Sequence, residues 1–295
     1  MEFYGQTERV GIFTSSREDH RRQRRILSQR QILSQRRILS HAFSDAALLE
    51  QETYINHYVN LFVTRLREQM EAGEAVDITR WYNYMTFDII GELAFADPFY
   101  SLEKSDYHPW VAMIFSGIRA QSRVLFLMQY PLLRPLVLLL IGEKDIEKRV
   151  QSIQLAKEKT EKRIALGVDT RKDIMTYILR NNTDGKGMIH NEILTNAQSL
   201  IVAGSETTAT ALSGLTFHLA QNPEAYKRLT EEVRAAFSSE ENITLRSTSS
   251  LQYLHACLEE VLRIYPPAGE TPPRISPGAV VNGQYVPEGV SKKAD

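Results

Sequence analysis

The chain has 295 residues, 43% hydrophobic and 24% charged, with a formal net charge of −1. That is enough apolar material for one large core, and it gives no global pull toward nucleic acid or an anionic membrane. A single cysteine excludes a disulfide framework and fits a reducing compartment.

Met1 to Ser16 contains neither the apolar core of a signal peptide nor a run of anchor length. From Arg17 to His41 the chain turns basic, with eight arginines against Glu18 and Asp19. This run has no interleaved aromatic residues and matches no nucleic-acid motif, so a nucleic-acid partner is not expected. Within it, Arg24–Gln29, Arg30–Gln35 and Arg36–His41 are near-copies of Arg-Arg-Ile-Leu-Ser-Gln. Six residues do not match the helical period, and two extra copies would rotate the faces of a helix by about 120°. They read as a local duplication over 24–41, too short for a solenoid.

Helical signals then follow in order. Ser44 caps a helix carrying Leu48, Ile55, Val59, Phe62 and Leu66 that ends near Gly73. Asp77 and Thr79 open a second, with Trp81, Met85 and Ile89, which closes before Asp97-Pro98. Pro109 suits a first helical turn. Val124 to Gly142 is the most apolar stretch, but Pro131, Arg134 and Pro135 break it, so it is too interrupted to span a bilayer. A buried loop and helix pair is expected there, with peripheral membrane contact as the alternative. Asp145 to Leu166 reads as a charged amphipathic helix, and Asp184–Gly187 as a turn. Asn191 to Gln221 runs without proline, Asn222-Pro223-Glu224 stops it and starts the next helix, and a last helix spans Leu251 to Ile264 before Pro266-Pro267. Ala279–Val281 and Gln284–Val286 flank Asn282-Gly283, a two-residue hairpin signal. The expected fold is mainly α, with a small β hairpin near the C-terminus.

Two stretches carry chemistry. Ala203-Gly204-Ser205-Glu206-Thr207-Thr208 puts a glycine, an acid and hydroxyls inside the longest helix. Gly204 costs a helix roughly 1 kcal/mol relative to Ala, and Thr207 is spaced to bond back to the Ala203 carbonyl. A helix loosened there offers Glu206 and Thr207 for proton delivery to a ligand lying against it. The plainer alternative is close packing of small residues where two helices cross. Glu260 and Arg263 stand at i,i+3 spacing and run into Tyr265-Pro266-Pro267; read alone, they are a solvent-exposed helix pair.

Taken in this order, these stretches resemble the cytochrome P450 family, the haem-thiolate monooxygenases. Trp81–Phe99 (WYNYMTFDIIGELAFADPF) is similar to fungal members that work on secondary metabolites or aromatic acids. The resemblance implies a partial cytochrome P450 fold and a haem cofactor. It also implies NADPH-derived electrons from a partner reductase, a small apolar substrate and residence at the endoplasmic reticulum membrane. By resemblance, Glu206 and Thr207 form the proton relay, Ala203 and Gly204 line the cofactor, and Glu260–Arg263 is a structural pair, expected to be partly buried. Arg274, before the hairpin, and Arg24, in the basic run, match the haem-propionate partners; the duplication makes Arg36 an equal candidate. No cysteine follows the hairpin, and Cys257 is mid-helix, so the axial thiolate of the family is expected to be absent. Residues 1–295 are therefore expected to form one incomplete domain, cytoplasmic or peripheral as it stands. The alternative is a non-catalytic fragment or pseudo-enzyme.

Overall fold

In the computed structural model, the residues described are 42–111, 113, 143–168, 171–180, 188, 190–269, 274–276, 278–281, 283–289 and 291–292. The basic run, the 124–142 stretch and the 184–187 turn lie outside them. The chain divides into two compact units, residues 1–209 and 210–295.

In the first unit, α1 (Asp45–Glu71) begins at Ser44, whose side chain accepts from the Ala47 amide, and ends in the chain reversal at Gly73, φ 71°. Its fully buried stripe is Ala47, Gln51, Tyr58 and Phe62. Leu48, Ile55 and Leu66 of the expected stripe are half-buried, and Val59 is exposed. The contact face is thus turned slightly from the one that hydropathy marks.

The next helix, α2 (Ile78–Phe95), starts at Asp77, whose carboxylate accepts from the Thr79 and Arg80 amides at 3.0 and 3.2 Å. It is buried nearly all round, including Trp81, Phe87, Ile90, Leu93 and Phe95, as befits a central helix. Asp88 faces inward and accepts from the Phe99, Ser101 and Leu102 amides at 3.1, 3.0 and 2.9 Å. Those bonds fasten the reversed chain and the short α3 (Ser101–Lys104) beneath α2. Burial pushes the Asp88 carboxyl above its ordinary range, against the pull of the three amides.

A charged helix follows, α4 (Glu143–Ala165), and then α5 (Ile174–Arg180). Between them lies an ion pair invisible to hydropathy. Arg163 and Asp173 are both fully buried, joined at 2.8 Å through Nε and again through the second guanidinium nitrogen. Arg163 also donates to Thr176 and to the Gly167 carbonyl, so each of its three guanidinium nitrogens has a hydrogen-bond partner.

The longest helix, α6 (His190–Gln221), has 32 residues, one continuous element as its proline-free sequence implies. In its first-unit part, Ile193, Ala197, Ile201, Ser205 and Ala209 are buried at four-residue spacing. This part of the helix is buried along one stripe, with half-buried and exposed positions on either side.

The second unit continues with α7 (Pro223–Ala236, proline in the first turn), α8 (Leu245–Thr248, with a Thr244–Ser247 capping box) and α9 (Gln252–Ile264). Two antiparallel strand pairs close it. Here β1 (Arg274–Ile275) pairs with β4 (Ser291–Lys292), and β2 (Ala279–Val281) with β3 (Gln284–Val286). Val281 faces Gln284 across the two-residue loop, and Gly283 takes φ 79°.

Candidate functional site

The Ala203–Thr208 stretch sits on α6 where α2 crosses it. A Cβ placed on Gly204 would come within 2.9 Å of the Ile90 Cδ1 atom. Glycine is what lets α6 approach so closely, so the packing explanation of Gly204 holds whatever else the residue does.

Immediately beyond, two hydroxyls bend back onto the helix. Ser205 donates to the Ile201 carbonyl and Thr207 to the Ala203 carbonyl, both at 2.5 Å. Each adds a second bond to a carbonyl that already serves the helical ladder, which favours local bending. Ser205 is fully buried and fixed; Thr207 and Glu206 are half-buried. Among the described residues, the Glu206 Oε2 atom is buried and accepts no hydrogen bond. Burial pushes this carboxyl above the ordinary carboxylate range. Nearby Tyr107, its phenol pushed up to about 12 mainly by burial and slightly by the Glu206 charge, packs edge-on against Tyr84 at 5.0 Å. Arg80 covers both rings at 5.5 and 5.9 Å. Tyr107 carried no signal in the sequence: it is one aromatic residue in an irregular segment.

In the second unit Glu260 and Arg263 do pair. Arg263 donates twice to the Glu260 carboxylate, both bonds at 2.7 Å. Arg263 holds the Glu260 carboxyl below its ordinary range, and the carboxylate raises the guanidinium in turn. The expected burial is not found. The side chains are 56% and 68% exposed. The reason is helical phase: α9 buries Val261, which turns toward Gly214 of α6, and Glu260 and Arg263 lie on the other side. Among the described residues Arg263 donates to Glu260 alone.

Of the remaining candidates, Arg274 stands on β1 with its backbone paired to Lys292; Arg24 and Arg36 lie outside the described residues. Cys257 is a half-buried helical thiol. Burial, and secondarily the Glu232 carboxylate, push it above its ordinary value, the reverse of what an iron-ligating thiolate needs. Among the described residues no group of three or more His, Cys, Asp or Glu side chains is placed to hold a metal.

Comparison with known proteins gives the family of the chain. The Cytochrome P450 family model matches residues 1–291. The chain is 42% identical over 283 residues to the cytochrome P450 monooxygenase astJ of Aspergillus oryzae, covering 95% of this chain and 54% of that protein. It is 39% identical over 273 residues to the trichothecene C-4 hydroxylase of Trichoderma arundinaceum, covering 92% and 52%. Among solved structures, the haem domain of cytochrome P450DA superposes with a TM-score of 0.69 at 19% identity, over 86% of this chain and 54% of that one. At that identity the likeness speaks to fold. The chain belongs to the cytochrome P450 family. It spans about half the length of the curated relatives it matches.

Proposed function

We propose that this chain is part of a haem-dependent cytochrome P450 monooxygenase that inserts oxygen into a small apolar substrate of fungal secondary metabolism. The observation that carries this is the state of Glu206: a carboxyl on α6 with one buried oxygen that has no partner among the described residues, beside a Thr207 hydroxyl bonded to Ala203. A carboxyl raised by burial holds a proton near neutral pH more readily than an exposed one, and so can pass it on. Thr207 can release its carbonyl and turn its hydroxyl toward a ligand, so the pair supports proton delivery along one face of the helix. Haem, the group of the family, supplies the iron that activates oxygen when bound.

The fit of the residues to that group is uneven. Glu206 and Thr207 suit the proton-delivering side, with Ala203 and Gly204 beside them, and Arg274, Arg24 or Arg36 would meet the propionates. Cys257 does not suit the iron, so no step is assigned through it. Glu260–Arg263 is proposed as a structural pair of the whole protein, although in this chain both side chains are more than half exposed. Electrons would come from NADPH through a cytochrome P450 reductase; the monooxygenase and hydroxylase relatives support a small-molecule substrate, and its apolar character is part of the proposal. Among the described residues no helix is long and apolar enough to cross a membrane. Attachment to the endoplasmic reticulum is proposed through peripheral contact at 124–142.

The state of Cys257 also supports a second reading, in which the 295 residues by themselves are non-catalytic. Sequencing the transcript that carries this chain separates the two. An in-frame glycine-rich loop with a cysteine downstream, and a product that oxidises substrate with reductase and NADPH, is the expected result. A transcript without such a cysteine, giving an inert product, would leave the second reading.

A further inference from the structure

The N-terminus of α9 lacks a cap of its own. Leu251 occupies the capping position and gives the first amides no side-chain acceptor. Those amides are nonetheless satisfied from another helix. One oxygen of the Glu232 carboxylate, on α7, accepts from Tyr253 at 2.8 Å, and the other accepts from Leu254 at 2.9 Å. These are the second and third residues of α9, the donors an ordinary capping side chain would take. Both bonds are charge-assisted, and the carboxylate sits at the positive end of the helix dipole. One turn earlier on α7, Arg228 lies over the Tyr253 ring at 4.3 Å and pins the same residue from its other side. No residue of α7 is fully buried. Its hold on α9 therefore depends on these directed contacts more than on a packed seam.

We infer that Glu232 is a positioning residue: it caps α9 from α7 and thereby fixes the helix that presents Glu260 and Arg263. This goes beyond the proposed function and does not depend on it, because the capping is a property of α7 and α9 alone. Register matters on α9, since the same helix must keep Val261 against Gly214 while holding Glu260 and Arg263 on the opposite side.

The test uses the 295-residue chain with Glu232→Gln, which keeps the size of the side chain and removes its charge and one acceptor. Amide hydrogen exchange should accelerate about tenfold at Tyr253 and Leu254, with a smaller rise reaching Glu260–Arg263, while α2 is unchanged. Cys257 offers a second readout. As the sole thiol, close to the Glu232 charge that helps raise it, it should react with iodoacetamide along a pH profile moved to lower pH in the variant. A packing role alone would leave an isosteric Gln silent in that profile. Should Glu232→Gln loosen α2 as well, a second substitution decides. Gln252→Glu, at an exposed first-turn position, restores a carboxylate to the N-terminus of α9 and should recover much of the lost protection in the double variant. Unchanged exchange at Tyr253 and Leu254, an unmoved Cys257 profile, or no recovery by Gln252→Glu would each overturn the assignment.

Discussion

Ile90 and Gly204 touch across the crossing of α2 and α6, with the Ile90 Cδ1 atom 2.9 Å from where a Cβ on residue 204 would stand. Gly204→Ala should therefore set two effects against each other. Alanine gains roughly 1 kcal/mol of helix propensity, while forcing a methyl into a packed crossing costs about 1–3 kcal/mol. The expected net is a loss of about 1 kcal/mol in chemical denaturation. Ile90→Val removes the nearest atom, so the double variant should be more stable than the sum of the single changes. Strict additivity would mean that the crossing gives way and the glycine is not needed for it.

Glu206 yields a pH prediction with a definite sign. Burial raises its folded carboxyl above the ordinary 4.5, so the folded chain binds that proton more tightly than the unfolded chain. Its favourable contribution is present below the unfolded value and is lost as pH rises through the folded one. Glu206→Gln resembles the protonated form. It should melt above the parent at neutral pH, and the advantage should vanish below about pH 4. An advantage that persists unchanged in acid would show that packing, not ionisation, is responsible.

The buried pair Arg163–Asp173 should dominate the stability of the first unit. Asp173→Ala leaves a guanidinium in the core without its carboxylate and should cost about 3–5 kcal/mol in urea unfolding. Lys172→Ala, which breaks a surface contact to Glu50, should leave the midpoint nearly unchanged. Equal effects from the two would place the interior charge in contact with water.

Glu260–Arg263 carries the opposite expectation. With both side chains more than half exposed, Glu260→Ala should barely move the melting temperature of this chain. A large drop would mean that the pair is buried by something packed over it.

Much of this was legible in the sequence because it rests on local rules. Ser44 and Asp77 each cap the helix they open, Pro223 stands in the first turn of α7, and the strands on either side of Asn282-Gly283 pair as a hairpin. The Thr207 bond to Ala203 follows from four-residue spacing alone. Facts that depend on distant chain were not legible. Arg163 sits among lysines and glutamates that read as a solvated face, and only the fold brings Asp173 to it. The short helices α3, α5 and α8 carry too few residues for a period to show. Whether Glu260–Arg263 is covered depends on which face of α9 meets its neighbours, and Val261 took the buried phase. The sequence likewise flagged Gly204 as unusual but could not name Ile90 as its reason.

Cys257, the one cysteine of this chain, is a helical thiol raised by burial and does not suit the iron that the proposed Glu206–Thr207 relay would serve. The most direct measurement is the absorption spectrum of the purified 295-residue chain given haem, reduced and exposed to carbon monoxide. The expected result is a haem-free or histidine-type spectrum, indifferent to Cys257→Ala. A red-shifted Soret band of the thiolate-ligated kind, abolished by Cys257→Ala, would contradict it.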